Sequence, residues 1–353
     1  MTGVNNLNQQ FNSMPSKIWA VIAHIDELKG RWIGGAQLSP QVLGRLKKSV
    51  LVTSTGASTR IEGAKLSDEQ VEKLMKGIII QKFADRDKQE VKGYYELLQN
   101  VFDSWRHIKF SENTIKHFHQ ELLKYVEKDK LHRGEYKKRE NKVQMIDHEG
   151  NPVGILFDTT PAYLTDKEMQ ELCELTANAL QEGVQHPLLI IGKFVVEFLL
   201  IHPFQDGNGR LSRVLTNLLL LHAGYAFMPY VSHEKLIEEH KIDYYLALRK
   251  TQNTLRSESS DFVPWFDFFL SMISQQAQTA VDLLSEENIE KLLSPKQLSV
   301  WQYFQKVDEA TPKEIAQTTG VARPTINQIL DRLMTLKKIE RIGLGRTTRY
   351  RKI

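Results

Sequence analysis

Between residues 202 and 213 the chain places one imidazole, one carboxylate and two guanidinium groups around a Gly-Asn-Gly turn. His202 titrates near neutral pH and suits a general base. Asp206 is a hard oxygen ligand, of the kind that can share Mg²⁺ with a polyphosphate. Gly207, Asn208 and Gly209 open a helix, so backbone N–H groups converge there and the helix dipole adds partial positive charge. Arg210 and Arg213, three apart, are expected on one side of the first turns, where planar guanidinium groups grip phosphate oxygens in pairs. Base, metal ligand, anion cradle and arginine clamp are the parts that phosphoryl or nucleotidyl transfer requires.

The elements that must hold these groups are mainly helical. The turn sits between two strongly apolar stretches, 188–201 and 211–222, which read as buried helices with Phe204 as an apolar anchor. The first stretch carries Lys193 and Glu197 on its wetter side and is shorter than the roughly 20 residues that span a bilayer. Further amphipathic helices are expected at 40–50, 67–80, 90–108, 112–127, 166–182, 243–255 and 263–283. A short helical segment at 57–62 is expected to be opened by Gly56 and closed by Gly63. The exception is 142–157, where two apolar runs flank Asp-His-Glu-Gly-Asn and read as a β-hairpin with exposed edges. A polar, acidic stretch at 285–294 marks the last domain boundary.

A chain of 353 residues with 41% hydrophobic and 25% charged side chains has enough apolar material for two or three ordinary globular domains. Its single cysteine, Cys173, excludes an intrachain disulfide and a thiolate zinc site, and a reducing, cytoplasmic setting fits best. The first 15 residues lack the basic and apolar regions of a signal peptide. Charge divides unevenly: residues 321–353 carry a net +7, the remainder −3. Any attraction to polyanions therefore belongs to the tail.

Residues 202–213 resemble the Fic signature, His-Pro-Phe-x-Asp/Glu-Gly-Asn-Gly-Arg-x-x-Arg, at every specified position. The resemblance implies a mainly α, Fic-type helical bundle with a β-hairpin flap, acting as a protein adenylyltransferase. His202 would deprotonate a Ser, Thr or Tyr hydroxyl of a protein target, whose oxygen attacks the α-phosphate of ATP while pyrophosphate leaves. By the same resemblance Asp206 holds Mg²⁺, Gly207, Asn208, Gly209 and Arg210 hold the phosphates, and Arg213 binds the γ-phosphate.

Residues 58–63, Ser-Thr-Arg-Ile-Glu-Gly, resemble the family's inhibitory motif, Ser/Thr-x-x-x-Glu-Gly/Asn. This implies that Glu62 pairs with Arg213 in place of the γ-phosphate, with Ser58 one helical turn away on the same face. A carboxylate mimics phosphate charge and competes for the same donors. The hairpin corresponds to the family's flap, which aligns an extended target segment by strand addition. Residues 134–137, Gly-Glu-Tyr-Lys, resemble a family segment that usually ends in arginine; Lys137 departs from it and is assigned no role. Residues 244–248 resemble a helix lining the nucleoside end of the pocket, where Tyr245 either stacks on adenine or belongs to the core. His117, His119, His222, His233 and His240 show no metal-binding spacing and read as structural or solvated.

The tail reads as helices at 295–307, 311–319 and 322–336 followed by two strands, an order that resembles a winged helix. Arg323, Thr325, Asn327, Gln328 and Arg346 are the residues that would meet DNA, with protein binding as the alternative. The expected domains are 1–110, carrying the inhibitory helix, 111–284, the catalytic core, and 285–353, the winged helix. Transfer of another phosphate-containing group, removal of AMP, and a nucleotide-sensing DNA-binding regulator are the alternative functions. A protein target, self-modification and a homodimer are compatible with the sequence, and a membrane partner is not expected.

Overall fold

The computed structural model describes Phe11 and residues 14–35, 40–77, 85–146, 152–257, 260–336, 338–343 and 348–353. The helices are α1 (Ser16–Gly35), α2 (Pro40–Ile61), α3 (Asp68–Met75), α4 (Asp85–Ser104), α5 (Glu112–Leu122), α6 (Ala162–Glu182) and α7 (Pro187–Ile201). They continue as α8 (Asn208–His222), α9 (His233–Glu239), α10 (Lys241–Gln252), α11 (Val263–Leu292), α12 (Pro295–Phe304), α13 (Pro312–Thr319) and α14 (Arg323–Thr335). The strands are β1 (Lys142–Ile146), β2 (Pro152–Asp158), β3 (Glu309–Ala310), β4 (Ile339–Ile342) and β5 (Arg349–Lys352). Two compact units result, Met1–Val281 and Asp282–Ile353.

In the first unit the two most apolar stretches of the sequence become the central helices. Apart from Lys193 and Glu197, helix α7 is apolar on all sides and buried along nearly its whole length, as a helix enclosed by neighbours must be. It packs against α6, α8 and α10, while α8 also meets α2, α4 and α5. Lys193 belongs to the buried set, its ammonium paired with Glu197 and lying over the Phe262 ring, so this side of α7 is drier than its charges suggest. No helix among the described residues is long and apolar enough to cross a membrane.

Helix α2 corrects one sequence expectation. It runs unbroken from Pro40 to Ile61, through Gly56, which was expected to open a separate segment. Gly56 serves close packing instead: a Cβ there would overlap Arg60 and Asp68, which pair at 2.9 Å across that face. Arg60 also donates to Glu238 at 2.6 Å and to Leu66 O at 2.8 Å, tying α2 to α9 and to the chain before α3. Gly63, with φ of +101°, does close the turn after the helix. Helix α3 starts at a capping box in which Ser67 and Gln70 exchange side-chain and backbone hydrogen bonds. Residues 78–80, the expected end of this helix, lie outside the described residues.

β1 and β2 form the antiparallel hairpin, with Val143 opposite Phe157 and Ile146 opposite Pro152, and two irregularities in register. Its turn, 147–151, lies outside the described residues.

The second unit has its own core of Val300, Trp301, Phe304, Ile315, Ile326, Leu330, Leu333 and Tyr350. Its sheet has the order β3-β5-β4, antiparallel throughout; the three helices and two strands follow in the order expected for the tail, and the short strand β3 between the first two helices was not foreseen. The acidic stretch at 285–292, part of the segment read as the last domain boundary, is helical and forms the end of α11. Glu, Lys and Leu are good helix formers.

Candidate active site

His202 is the C-cap of α7 and the one non-glycine residue with positive φ, 52°, among the described residues. A side chain in this left-handed conformation costs about 1–2 kcal/mol, so the surroundings must enforce it. Its N–H donates to Phe198 O at 2.9 Å and Nδ1 lies 3.3 Å from Leu199 O. A carbonyl only accepts, so this contact puts the proton on Nδ1 and leaves the Nε2 lone pair free. Burial pushes the imidazole pKa down to about 4, with the nearby Lys137 charge adding to the shift and the Leu199 carbonyl opposing it. At neutral pH the ring is therefore the uncharged form that a base requires.

The loop behind His202 is packed from below. Phe204 is fully buried, stacked on His119 with ring centres 3.8 Å apart, and flanked by Tyr136. His119 accepts the Gly134 N–H at Nδ1 (2.9 Å) and so donates from Nε2 to Asp206 O (3.0 Å). Burial lowers its pKa to about 4, which keeps this tautomer neutral. Sequence reasoning left His119 among the structural or solvated histidines; it is a structural one directly beneath the site. Asn208 spends its side chain on Phe204, accepting from its N at 2.9 Å and donating to its O at 2.7 Å. What Asn208 offers an anion is thus its backbone N–H at the start of α8.

The two arginines diverge instead of sharing one direction. Arg210 reaches α4, where Nη1 is 2.8 Å from Glu90 Oε2, and folds back to Asp206 Oδ1 at 3.2 Å. Arg213 reaches α2: Nε donates to Ser58 Oγ at 2.8 Å, and Nη2 to Ser58 O at 3.0 Å and Glu62 Oε1 at 2.7 Å. Burial opposes the Arg213 charge, but the Glu62 carboxylate together with Tyr244 and Tyr94 holds the guanidinium pKa above its ordinary value. Arg210 Nε and Arg213 Nη1 are buried and have no hydrogen-bond partner among the described residues.

Glu62 also lies directly over the cradle. A Cβ added at Gly209 would overlap its carboxylate, so the absence of a side chain at that position is what allows the glutamate in. The remaining cleft is about 100 Å³ and is lined by Glu62, His202, Asp206, Gly207, Arg210 and Tyr245 among others. Pockets that enclose drug-sized ligands hold about 300–1,000 Å³. Tyr245 lines this cleft and packs against Leu200.

Asp206 carries a partner that the sequence did not announce. Arg86, in the first turn of α4, donates Nη2 to Asp206 Oδ2 at 2.5 Å and Nε to Glu90 Oε1 at 2.8 Å. Burial works against the Asp206 charge, yet Arg210, the Gly207 N–H and Arg86 hold its carboxyl below the usual range. The helix expected here began at residue 90, so neither the i,i+4 pair of Arg86 with Glu90 nor the reach of Arg86 across 120 residues was foreseen. Lys137, assigned no role from sequence, is buried against the same loop, and burial pulls its ammonium down to about 8.

In the second unit, Arg323, Asn327 and Gln328 are exposed on α14 and Thr325 is half-buried. Arg346 lies outside the described residues, as do the side chains of the hairpin.

The segment that carries His202, the glycine turn and both arginines is similar to a known family. Residues 109–220 match the family model described as Fic/DOC family. A protein from Culex quinquefasciatus named protein adenylyltransferase Fic is 43% identical over 68 residues, 19% of this chain and 12% of that protein. The aligned stretch is thus a small part of that relative. Among solved structures, a Fic family protein from Desulfovibrio desulfuricans G20 superposes with a TM-score of 0.62 at 24% identity, covering 97% of each chain. A Fic-1 fragment from C. elegans gives 0.62 at 19% identity, covering 80% of this chain and 78% of that one. At such identities the structural likeness establishes the fold alone. With the motif, the family model and the fold in agreement, the chain carries a domain of the Fic/DOC family over residues 109–220.

Proposed function

We propose that the chain is a protein adenylyltransferase, transferring AMP from ATP to a Ser, Thr or Tyr hydroxyl of a protein target or of itself, and that Glu62 holds it in check. The observation that carries this reading is the Glu62 carboxylate on Arg213, 2.7 Å from Nη2 and against Gly209. A carboxylate in that position competes with a terminal phosphate for the same guanidinium.

The residues fit a polyphosphate. Arg210 Nε and Arg213 Nη1 are unused buried donors, and such donors favour an anionic oxygen. The N–H groups of Asn208, Gly209 and Arg210 precede the first bond of α8, from Leu211 N to Gly207 O. Asp206 would hold Mg²⁺ in competition with the Arg86 guanidinium, and the bound ion would offset phosphate charge. His202 Nε2 would take the hydroxyl proton. The target oxygen then bonds to the α-phosphorus as the bond to the pyrophosphate oxygen breaks. Tyr245, which lines the cleft, would cover the nucleoside. The two-stranded hairpin suits a target strand added at its edge. The lone, buried Cys173 suits a reducing, cytoplasmic setting.

The test uses wild type, Glu62→Gly, and Glu62→Gly with His202→Ala, each incubated with α-labelled ATP and a cell lysate. Glu62→Gly should raise labelling about ten- to hundredfold, matching the ~1.5–3 kcal/mol of a hydrogen bond to a charged group. The added His202→Ala should abolish labelling and keep ATP binding. Equal labelling of wild type and Glu62→Gly rejects the brake. An adduct mass other than that of AMP moves the reading to another transferred group, and label lost from a premodified protein moves it to AMP removal. ATP binding with no covalent product in any variant leaves a nucleotide sensor.

A further inference from the structure

The C-terminus of a helix leaves its last carbonyls without intrahelical partners, and at α7 these lead straight into His202. Here every carbonyl from Leu200 to Phe204 accepts a donor from the segments that flank the hairpin. Leu200 O accepts from Thr160 N at 3.3 Å, and Pro203 O from Lys137 N at 2.8 Å. Ile201 O accepts from Lys137 Nζ at 2.9 Å. His202 O and Phe204 O accept from Asn141 Nδ2 at 3.3 and 2.9 Å.

The donors are themselves joined. Lys137 Nζ also donates to Asn141 Oδ1 at 2.8 Å and Thr159 Oγ1 at 3.0 Å, which uses all three ammonium protons. Thr159 Oγ1 lies 2.8 Å from Asn141 O. Asn141 immediately precedes β1 and Thr159 immediately follows β2, so the base of the hairpin and the His202 loop share one buried polar knot.

From this geometry we infer that Lys137 and Asn141 are positioning residues for the transfer reaction, fixing His202 in its left-handed conformation and setting its register with the hairpin. The inference rests on the adenylyltransferase reading for its reaction, and on the knot alone for its geometry. The strain at His202 explains why such a device is required: with the carbonyls released, the loop relaxes toward ordinary backbone angles and Nε2 moves. A displacement near 1 Å costs about a hundredfold in rate. Neither residue lines the cleft that Glu62 occupies, so nucleotide affinity is not what they control.

The experiment places Lys137→Met, Lys137→Arg and Asn141→Ala in the full-length Glu62→Gly protein and follows label transfer at varied ATP. Lys137→Met and Asn141→Ala should lower kcat about ten- to hundredfold, with KM for ATP within about twofold; Lys137→Arg, which keeps the charge and enough donors, should recover most of the loss. An unchanged kcat, or a KM that rises by the same factor as kcat falls, overturns the inference. A second readout needs no adenylyl transfer. The rate at which diethyl pyrocarbonate modifies His202, followed by mass spectrometry of the peptide 194–210, which contains no other histidine, should rise severalfold in Lys137→Met and Asn141→Ala and not in Lys137→Arg. An unchanged rate there overturns the knot. If the Glu62→Gly parent yields no labelled product while the His202 rate behaves as expected, the function assignment fails and the positioning assignment stands.

Discussion

The loop from Leu200 to Arg213 and the helix α14 are both rich in polar side chains, but they treat them in opposite ways. In the loop, Asn208, Arg210 and Arg213 are almost wholly buried; in α14, Arg323, Asn327 and Gln328 stand in water. A buried polar group without a partner costs about 1–3 kcal/mol, so burial forces each one into a defined geometry. An exposed one carries no such constraint. The loop can therefore be read as a site from its own bonds, whereas α14 offers only a charged surface whose partner must come from outside.

The contrast is most severely tested at Phe204. Replacing it by alanine removes the ring stacked on His119, and should destabilise the protein by about 3–5 kcal/mol in urea unfolding. A loss as small as that of a surface substitution would mean that the loop does not depend on its packing. The next test concerns the exposed edge of the same site. Arg86→Gln removes the guanidinium that holds Asp206; if the two cations compete, Mn²⁺ should bind up to about fivefold more tightly, from a partly exposed pair worth ~1 kcal/mol or less. Electron paramagnetic resonance of free Mn²⁺, with α,β-methylene-ATP present, measures this, and Asp206→Asn supplies the reference for a lost ligand. Unchanged affinity in Arg86→Gln would show that the guanidinium does not compete.

The smallest effect is expected in the tail. Arg323→Ala with Gln328→Ala should change stability by no more than about 0.5 kcal/mol, as exposed positions usually do. If the +7 tail meets DNA, these substitutions should weaken the salt-dependent retardation of a duplex by the full chain. Absence of any retardation by wild type would leave protein recognition as the use of this face.

The groups that meet at the candidate site were legible because most of them lie in one short stretch. The Gly-Asn-Gly turn, His202, Asp206 and the two arginines needed no knowledge of distant segments, and the periodicity of 188–201 and 211–222 located the helices that carry them. Gly56 was misread because a glycine ends a helix in one context and admits a neighbour in another; local sequence does not say which. The helical course of 285–292 was not legible because polarity does not report chain direction.

The sequence by itself determined which functional groups are present, their order along the loop, and the division of charge between tail and body. Only the tertiary structure decided that Arg210 holds Glu90, that Arg86 sits on Asp206, and that Lys137 and Asn141 grip the loop behind His202, whereas the Glu62–Arg213 pair was already implied by the motif at 58–63. The physical reason is reach: propensity and periodicity act over a few residues, while pairing of buried charges is settled by whichever partners packing brings within about 3 Å, wherever they lie in the chain.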